Sequence, residues 1–352
     1  MHSASTVLTR PAPTPTTRRR ETWIDVAKGM AILLIVFTHS GLYLNIHDFA
    51  TPSWWGPVDA ALTTVRLPTF FLISGLFMRN SLKRSDQEFL ASKVVPMVWL
   101  YLLWTFLWGV TIGVYTHGLA GGMLQWIKSS ATVTNGTWYL IALPVYFLVW
   151  RITHEWRPSV LWPSAVALSL VFSMQLVTTG SWGLDRMLKL MVFFLIGAHF
   201  PDIIRRMVRA IPAWVALAAV PVLYLAFRTP LPTSSLSSLR TALFPLVAVP
   251  VFLALARLID SGHGAGWLRW LGKNTLPIYV LHMIALELGV RFIPSFMFGA
   301  PANTVDLVPF VLTAFAISLS LGVWYVTRRI PGFYSLPDWA REQALRVPLP
   351  AR

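Results

Sequence analysis

Long apolar runs separated by short polar breaks occupy most of the chain. The runs cover residues 26–44, 58–78, 94–115, 138–152, 159–177, 184–200, 211–227, 239–258, 276–290 and 305–326. A bilayer-spanning helix needs about 20 apolar residues, with a range of about 17–25. The pattern therefore predicts an all-α integral membrane protein, a bundle of about ten transmembrane helices, the fourth and ninth being the shortest. Residues 1–22 are rich in Thr, Pro and Arg without apolar periodicity, and read as a disordered basic cytoplasmic tail. Residues 23–330 form the expected membrane domain, and 331–352 a second cytoplasmic tail. The first run is too long for a cleaved leader, contains Lys28 and His39, and is followed by no small-residue cleavage site. No internal repeat is visible.

Composition strengthens this reading. Of 352 residues, 55% are hydrophobic and only 12% charged, against roughly 45–50% and about 25% in soluble domains. Seventeen Trp, many beside charged or Pro-rich breaks, suit an aromatic belt at the headgroups. The net charge of +15 could suggest nucleic acid, but the cations are scattered between apolar runs, not gathered on one face, and no nucleic-acid partner is expected. With both termini cytoplasmic, the cytoplasmic stretches hold 21 Lys and Arg and the outer loops only four, Lys128, Arg228, Arg240 and Arg291. That asymmetry follows the positive-inside rule and places the chain in the cell (inner, cytoplasmic) membrane as a multi-pass protein. The absence of cysteine excludes disulfides, thiolate catalysis and Cys-ligated metals.

Charged groups inside the apolar runs are the candidates for chemistry, because each costs at least about 2.5–3.5 kcal/mol at a helix centre. Asp25, Lys28 and His39 share one stripe of the first helix. The eleven residues from Lys28 to His39 are about three turns, roughly 16 Å. Asp25 and Lys28 also suit the interface, with Lys28 snorkelling, whereas His39 is too deep for that. Tyr279 and His282, at i and i+3, share a face of the ninth helix, where a structural hydrogen bond of His282 is the alternative. Glu287 points elsewhere, towards another helix or the outer mouth. Arg66, Arg186 and Lys189 either line an anionic-ligand cavity or pair with Asp59, Asp185 and Glu287. The spaced glycines of 261–266 follow no strand and make a weak phosphate loop, and no cluster has metal-ligand spacing.

The stretch 24–40 (IDVAKGMAILLIVFTHS) resembles the opening motif of the acyltransferase type 3 family of multispanning membrane O-acyltransferases, with Lys28 where many members have Arg. It is most similar to the branch containing fucose O-acetylase-like proteins. FFLISG at 70–75, NGTWYL at 135–140, FFLIG at 193–197 and GKNTLPIYVLH at 272–282 follow in the family's order. The paired arginines that many members carry before the third helix are reduced here to Lys93. The resemblance implies transfer of an acyl group, most simply acetyl from acetyl-CoA or another acyl-CoA, to a hydroxyl of a sugar, envelope glycan, lipid or secondary metabolite, without a metal. It implies His39 as general base and Lys28, Lys93 and Arg66 as donor-binding cations, with Asp25, Tyr279, His282 and Glu287 as further candidates. A proton-coupled carrier of a small organic anion or metabolite is the other reading of the same intramembrane charges. Reporter fusions test the ten-span expectation: those after Arg84, Arg157, Arg206 and Lys273 should behave as cytoplasmic and those after His47, Lys128 and Pro232 as external. Two successive loops on one side would refute it.

Overall fold

The computed structural model describes residues 21–293 and 306–346. Most of the expected N-terminal tail, the start of the tenth apolar run at Val305 and residues 347–352 lie outside the described residues. The elements are α1 (Thr22–Ile46), α2 (Trp55–Leu76), α3 (Asp86–Phe89), α4 (Val95–Trp108), α5 (Val114–Ala131), α6 (Trp138–Thr153), α7 (Pro158–Ser173) and α8 (Trp182–His199). They continue with α9 (Pro201–Ala210), α10 (Ala213–Arg228), α11 (Ser234–Leu243), α12 (Pro245–Ser261), α13 (Gly266–Lys273), α14 (Thr275–Val290), α15 (Val308–Thr327) and α16 (Asp338–Arg346). Among the described residues there is no β-strand, and the all-α membrane expectation holds.

Each of the ten apolar runs contains a helix. Among the described residues, five helical stretches are long and apolar enough to cross a bilayer: Thr22–Ile46, Trp55–Lys83, Asp86–Ala131, Ser234–Ser261 and Val308–Thr327. A sixth arises if α8 and α9 count as one span, but they meet at 88°. Helix α9 is instead an amphipathic segment, burying Pro201, Ile204 and Val208 while Arg206 and Arg209 stay on its outer face. The other four, α6, α7, α10 and α14, have 16 residues each, about 24 Å at 1.5 Å per residue. Proline in the first turn starts α7, α9 and α15, where its missing N–H leaves no bond unmade.

One departure from the sequence reading shapes the interior. The third run does not end in a loop. At Gly118, φ is +70° and the helix breaks; residues 119–131 fold back so that Gly122 lies against the backbone of Gly113 and Val114. Lys128, which the sequence placed in an outer loop, lies on this returning helix. Beyond α15, the chain is strapped to α4 by the Trp99 and Trp104 indole N–H groups, which donate to Gly332 O and Phe333 O, both at 2.8 Å.

Two backbone-to-backbone crossings organise the bundle. A Cβ on Gly75 of α2 would overlap the Phe194 carbonyl, and one on Gly197 of α8 would overlap the Leu72 carbonyl. Likewise a Cβ on Gly29 of α1 would strike Leu268 O, and one on Gly272 of α13 would strike Asp25 O. Without a hydrophobic drive between helices in lipid, close packing over small residues carries association. Gly75→Ala and Gly197→Ala are therefore expected to destabilise the detergent-purified protein by about 1–3 kcal/mol each through overpacking. Gly56→Ala, which meets nothing within 4 Å, should be neutral or stabilising. Thermal unfolding followed by retention of monodisperse protein measures the difference, and equal midpoints for all three would refute the crossing.

Candidate functional site

Two cavities meet at Lys28. The first, about 520 Å³, opens at the basal end of the bundle, where α1 begins, α2 ends and α9 turns away. Glu21, Asp25, Lys28, Arg79, Asp202 and Arg205 line it. Arg79 Nη1 is 2.7 Å from Asp202, and Arg205 lies 2.7 Å from Glu21 and 3.3 Å from Asp202. The second cavity, about 210 Å³, continues inward between α1, α2, α6 and α14. Its walls are apolar (Ile32, Ile35, Phe70, Ile73) apart from Lys28, Thr275 and the hydroxyls of Ser74, Tyr139 and Tyr279.

Local sequence explains why two tyrosines line this cavity. Helix α6 begins where the 119–131 segment delivers it, and Asn135 ties that junction together. Its amide donates to Tyr101 Oη and Ser129 O at 3.1 Å, and its Oδ1 accepts from the Thr137 N–H and hydroxyl at 3.0 and 2.7 Å. Gly136 leaves room for the Met283 thioether of α14. The free amide of Tyr139 in the first turn donates to Tyr279 Oη at 3.2 Å, and that hydroxyl donates to Gly136 O at 2.9 Å. First-turn amides have no intrahelical acceptor, so Tyr279 satisfies one while locking α6 to α14. Ser74 and Tyr139 share a hydrogen bond of 3.0 Å.

His39 and His282 come together from α1 and α14, with ring centroids 5.1 Å apart, and Tyr279 lies 5.8 Å from His282. His39 Nδ1 contacts Ile35 O at 2.8 Å and His282 Nδ1 contacts Tyr279 O at 2.6 Å. A carbonyl only accepts, so each Nδ1 carries a proton, and in the neutral form of each ring Nε2 is the acceptor. His282 is 1% exposed and its Nε2 has no hydrogen-bond partner. The positive charge of Arg66 acts on both imidazoles.

The remaining candidates disperse. Asp25 is buried in the vestibule wall. Lys93 lines neither cavity; its ammonium lies 5.9 Å from the Phe147 ring centroid. Glu287 is buried away from the histidine pair, held by Arg291 and, at 3.0 Å, by His47 Nε2. Asp185 accepts from Thr178 and Thr179 in its own loop. Neither carboxylate is among the ion-pair partners found for Arg66, Arg186 or Lys189; Arg66 Nη1 lies 3.6 Å from Asp59. Among the described residues no three His, Cys, Asp or Glu converge as a metal site. Sequence reasoning did not single out Ser74 or Tyr139, although each is a hydroxyl inside an apolar motif, nor Arg79 and Arg205, which sit in breaks between runs.

The chain is 25% identical over 297 residues to the inner membrane protein YcfT of Escherichia coli, covering 77% of this chain and 81% of that protein. It is 26% identical over 164 residues to the nodulation protein NolL of Mesorhizobium japonicum, covering 45% and 42% respectively. No solved structure matches. The sequence profile of the acyltransferase domain runs from residue 21 to residue 329, taking in α1 through α15 and every residue of the track from Lys28 to the paired imidazoles; the chain therefore belongs to the acyltransferase type 3 family and is a multi-pass membrane acyltransferase.

Proposed function

We propose that the protein moves an acyl group, acetyl in the first place, from acyl-CoA to a hydroxyl of a sugar, envelope glycan, lipid or secondary metabolite at the cytoplasmic membrane, with residues 23–330 as the catalytic domain. The observation that carries this reading is the path through the bundle: a charged vestibule, a lysine at its throat, an apolar slot, and beside it two imidazoles tied through Nδ1 to backbone carbonyls. In this reading both termini are cytoplasmic, so the vestibule faces the compartment that holds acyl-CoA. The phosphates of the donor stay in the vestibule against Lys28, Arg79 and Arg205, and the thioester end reaches into the slot past Ser74. Lys93, outside both cavities, takes no part.

His39 Nε2 withdraws the proton of the acceptor hydroxyl as its oxygen attacks the thioester carbonyl. A C–O bond forms, the C–S bond breaks, and the imidazolium returns its proton to the departing thiolate. The bond to Ile35 O fixes the His39 ring for this role, because the proton on Nδ1 leaves the lone pair on Nε2. His282 packs against His39 and holds its orientation.

Lys28→Ala is expected to weaken acetyl-CoA binding about ten- to a hundred-fold, the worth of one charge-assisted hydrogen bond of about 1.5–3 kcal/mol. Isothermal titration of the purified variant measures it, and unchanged affinity would reduce Lys28 to an interfacial anchor.

His39→Gln should lower hydroxyl-dependent thioester cleavage by about 10²–10⁴-fold while leaving acetyl-CoA affinity intact. Glutamine keeps the bulk and a hydrogen-bonding side chain but cannot act as a base. His282→Gln should retain more turnover than His39→Gln; the reverse order would move the base to α14. Flux of a solute without thioester consumption would replace the enzyme reading with a carrier.

A further inference from the structure

A third cavity lies beyond the histidine pair, at the end of the bundle opposite the vestibule. Arg66 of α2, Arg186 and Lys189 of α8, Ser169 and Ser173 of α7 and Thr241 of α11 line it. Of the three cations, Arg66 is paired with a carboxylate, Asp59, whose Oδ1 is 3.6 Å from Arg66 Nη1. Asp185, the other acid near the cluster, is engaged with Thr178 and Thr179. Arg66 is 8% exposed, yet its Nε and Nη1 donate no hydrogen bond, and the Ser173 hydroxyl, 7% exposed, has no partner. Leaving buried charged donors unmatched is costly, so these atoms describe the complement of a missing acceptor-rich group.

The cavity volume is about 60 Å³. At about 10–15 Å³ for each water held, that is the space of roughly four to six waters. A single oxyanion fits and a whole sugar does not. The guanidinium fork of Arg66 offers parallel N–H donors, the geometry that suits phosphate and carboxylate. Its charge also acts on His39 and His282, so a group seated here is electrostatically linked to the proposed base.

Building on the acyl-transfer reading, we propose that this cleft holds an oxyanion, phosphate first, carried by the acceptor, so that the protein acylates a hydroxyl of an anionic acceptor and not of a neutral one. The anion anchors one end of the acceptor between α2, α7 and α8, and the body of the molecule extends out of the cleft with its hydroxyl turned to His39.

Inorganic phosphate probes the cleft directly. Full-length protein in detergent should show a saturable rise of its unfolding midpoint with phosphate, measured against chloride at equal ionic strength. The Arg186→Gln/Lys189→Gln variant should need at least ten-fold more phosphate for the same rise. No phosphate-specific rise, or a rise undiminished in that variant and hence owed to the vestibule, would overturn the proposal. Glucose 6-phosphate in solution and phosphatidylglycerol in nanodiscs are the competing arms. Displacement of phosphate by the first assigns a soluble acceptor, and by the second a lipid headgroup. Displacement by neither overturns the link to an acceptor. Absence of thioester cleavage with every hydroxyl compound would sink the acyl-transfer reading while the phosphate titration still decides the cleft.

Discussion

The bundle depends on helices that touch through bare backbone. Lipid offers no hydrophobic gain for bringing two apolar helices together, so close approach and shape fit must supply the attraction. At the α2–α8 and α1–α13 crossings each glycine faces the carbonyl-bearing backbone of the other helix, and neither partner tolerates a side chain. Each crossing also sets the height of a residue with a polar task. Ser74 precedes Gly75 and Lys28 precedes Gly29, so fixing the glycines fixes the throat of the vestibule and the hydroxyl in the slot. Packing and site geometry are thus one constraint.

The polar interior is economical in bonds. At the α5–α6 junction the hydrogen bonds are complete: Asn135 satisfies four contacts, and Tyr279 closes the first turn of α6 while clamping α14. The unpaired buried atoms include His282 Nε2, two nitrogens of Arg66 and the hydroxyls of Thr69 and Ser173. Most native buried polar groups find a partner; the indoles of Trp108, Trp126 and Trp150 and Arg240 Nε also lack one, so the unpaired atoms are spread over the bundle, and those of α2, α7 and α14 are the ones that fall at the candidate sites. Incompleteness of this kind opposes stability and prepares a surface for a ligand.

The apolar runs made the helical class and the placement of ten helices legible, because a run of 15 or more apolar residues leaves few alternatives. Their ends were less legible. The fold-back at Gly118 depends on one residue at positive φ, and although the run 184–200 ends where α9 begins, hydropathy carries no sign of the 88° angle there. The stripe joining Lys28 to His39 could be read from helical periodicity alone. The approach of His282 to His39 could not, since it is a contact between residues 243 apart, set by how α1 packs on α13 and α14. Glu287 lies where its helix face pointed, away from His282, and its partners His47 and Arg291 sit at the far mouth of the bundle. The neighbours of Lys93, the Phe147 ring among them, are set by packing and are invisible in one dimension.

The arginines of the vestibule reach their ligand already neutralised. Arg79 and Arg205 share Asp202, and Arg205 also holds Glu21, so α1, α2 and α9 are pinned to one another by the same groups that face the opening. An incoming molecule must trade places with these carboxylates, and the trade is favourable only for one that brings several negative charges at once. A monoanion gains little, because the half-exposed Arg79–Asp202 pair it breaks is worth as much as the one it makes. In the proposed acyl-transfer reading the mouth would therefore act as a valency filter. In that reading the displaced carboxylates would also assist release, since they remain tethered within reach and return at a high local concentration.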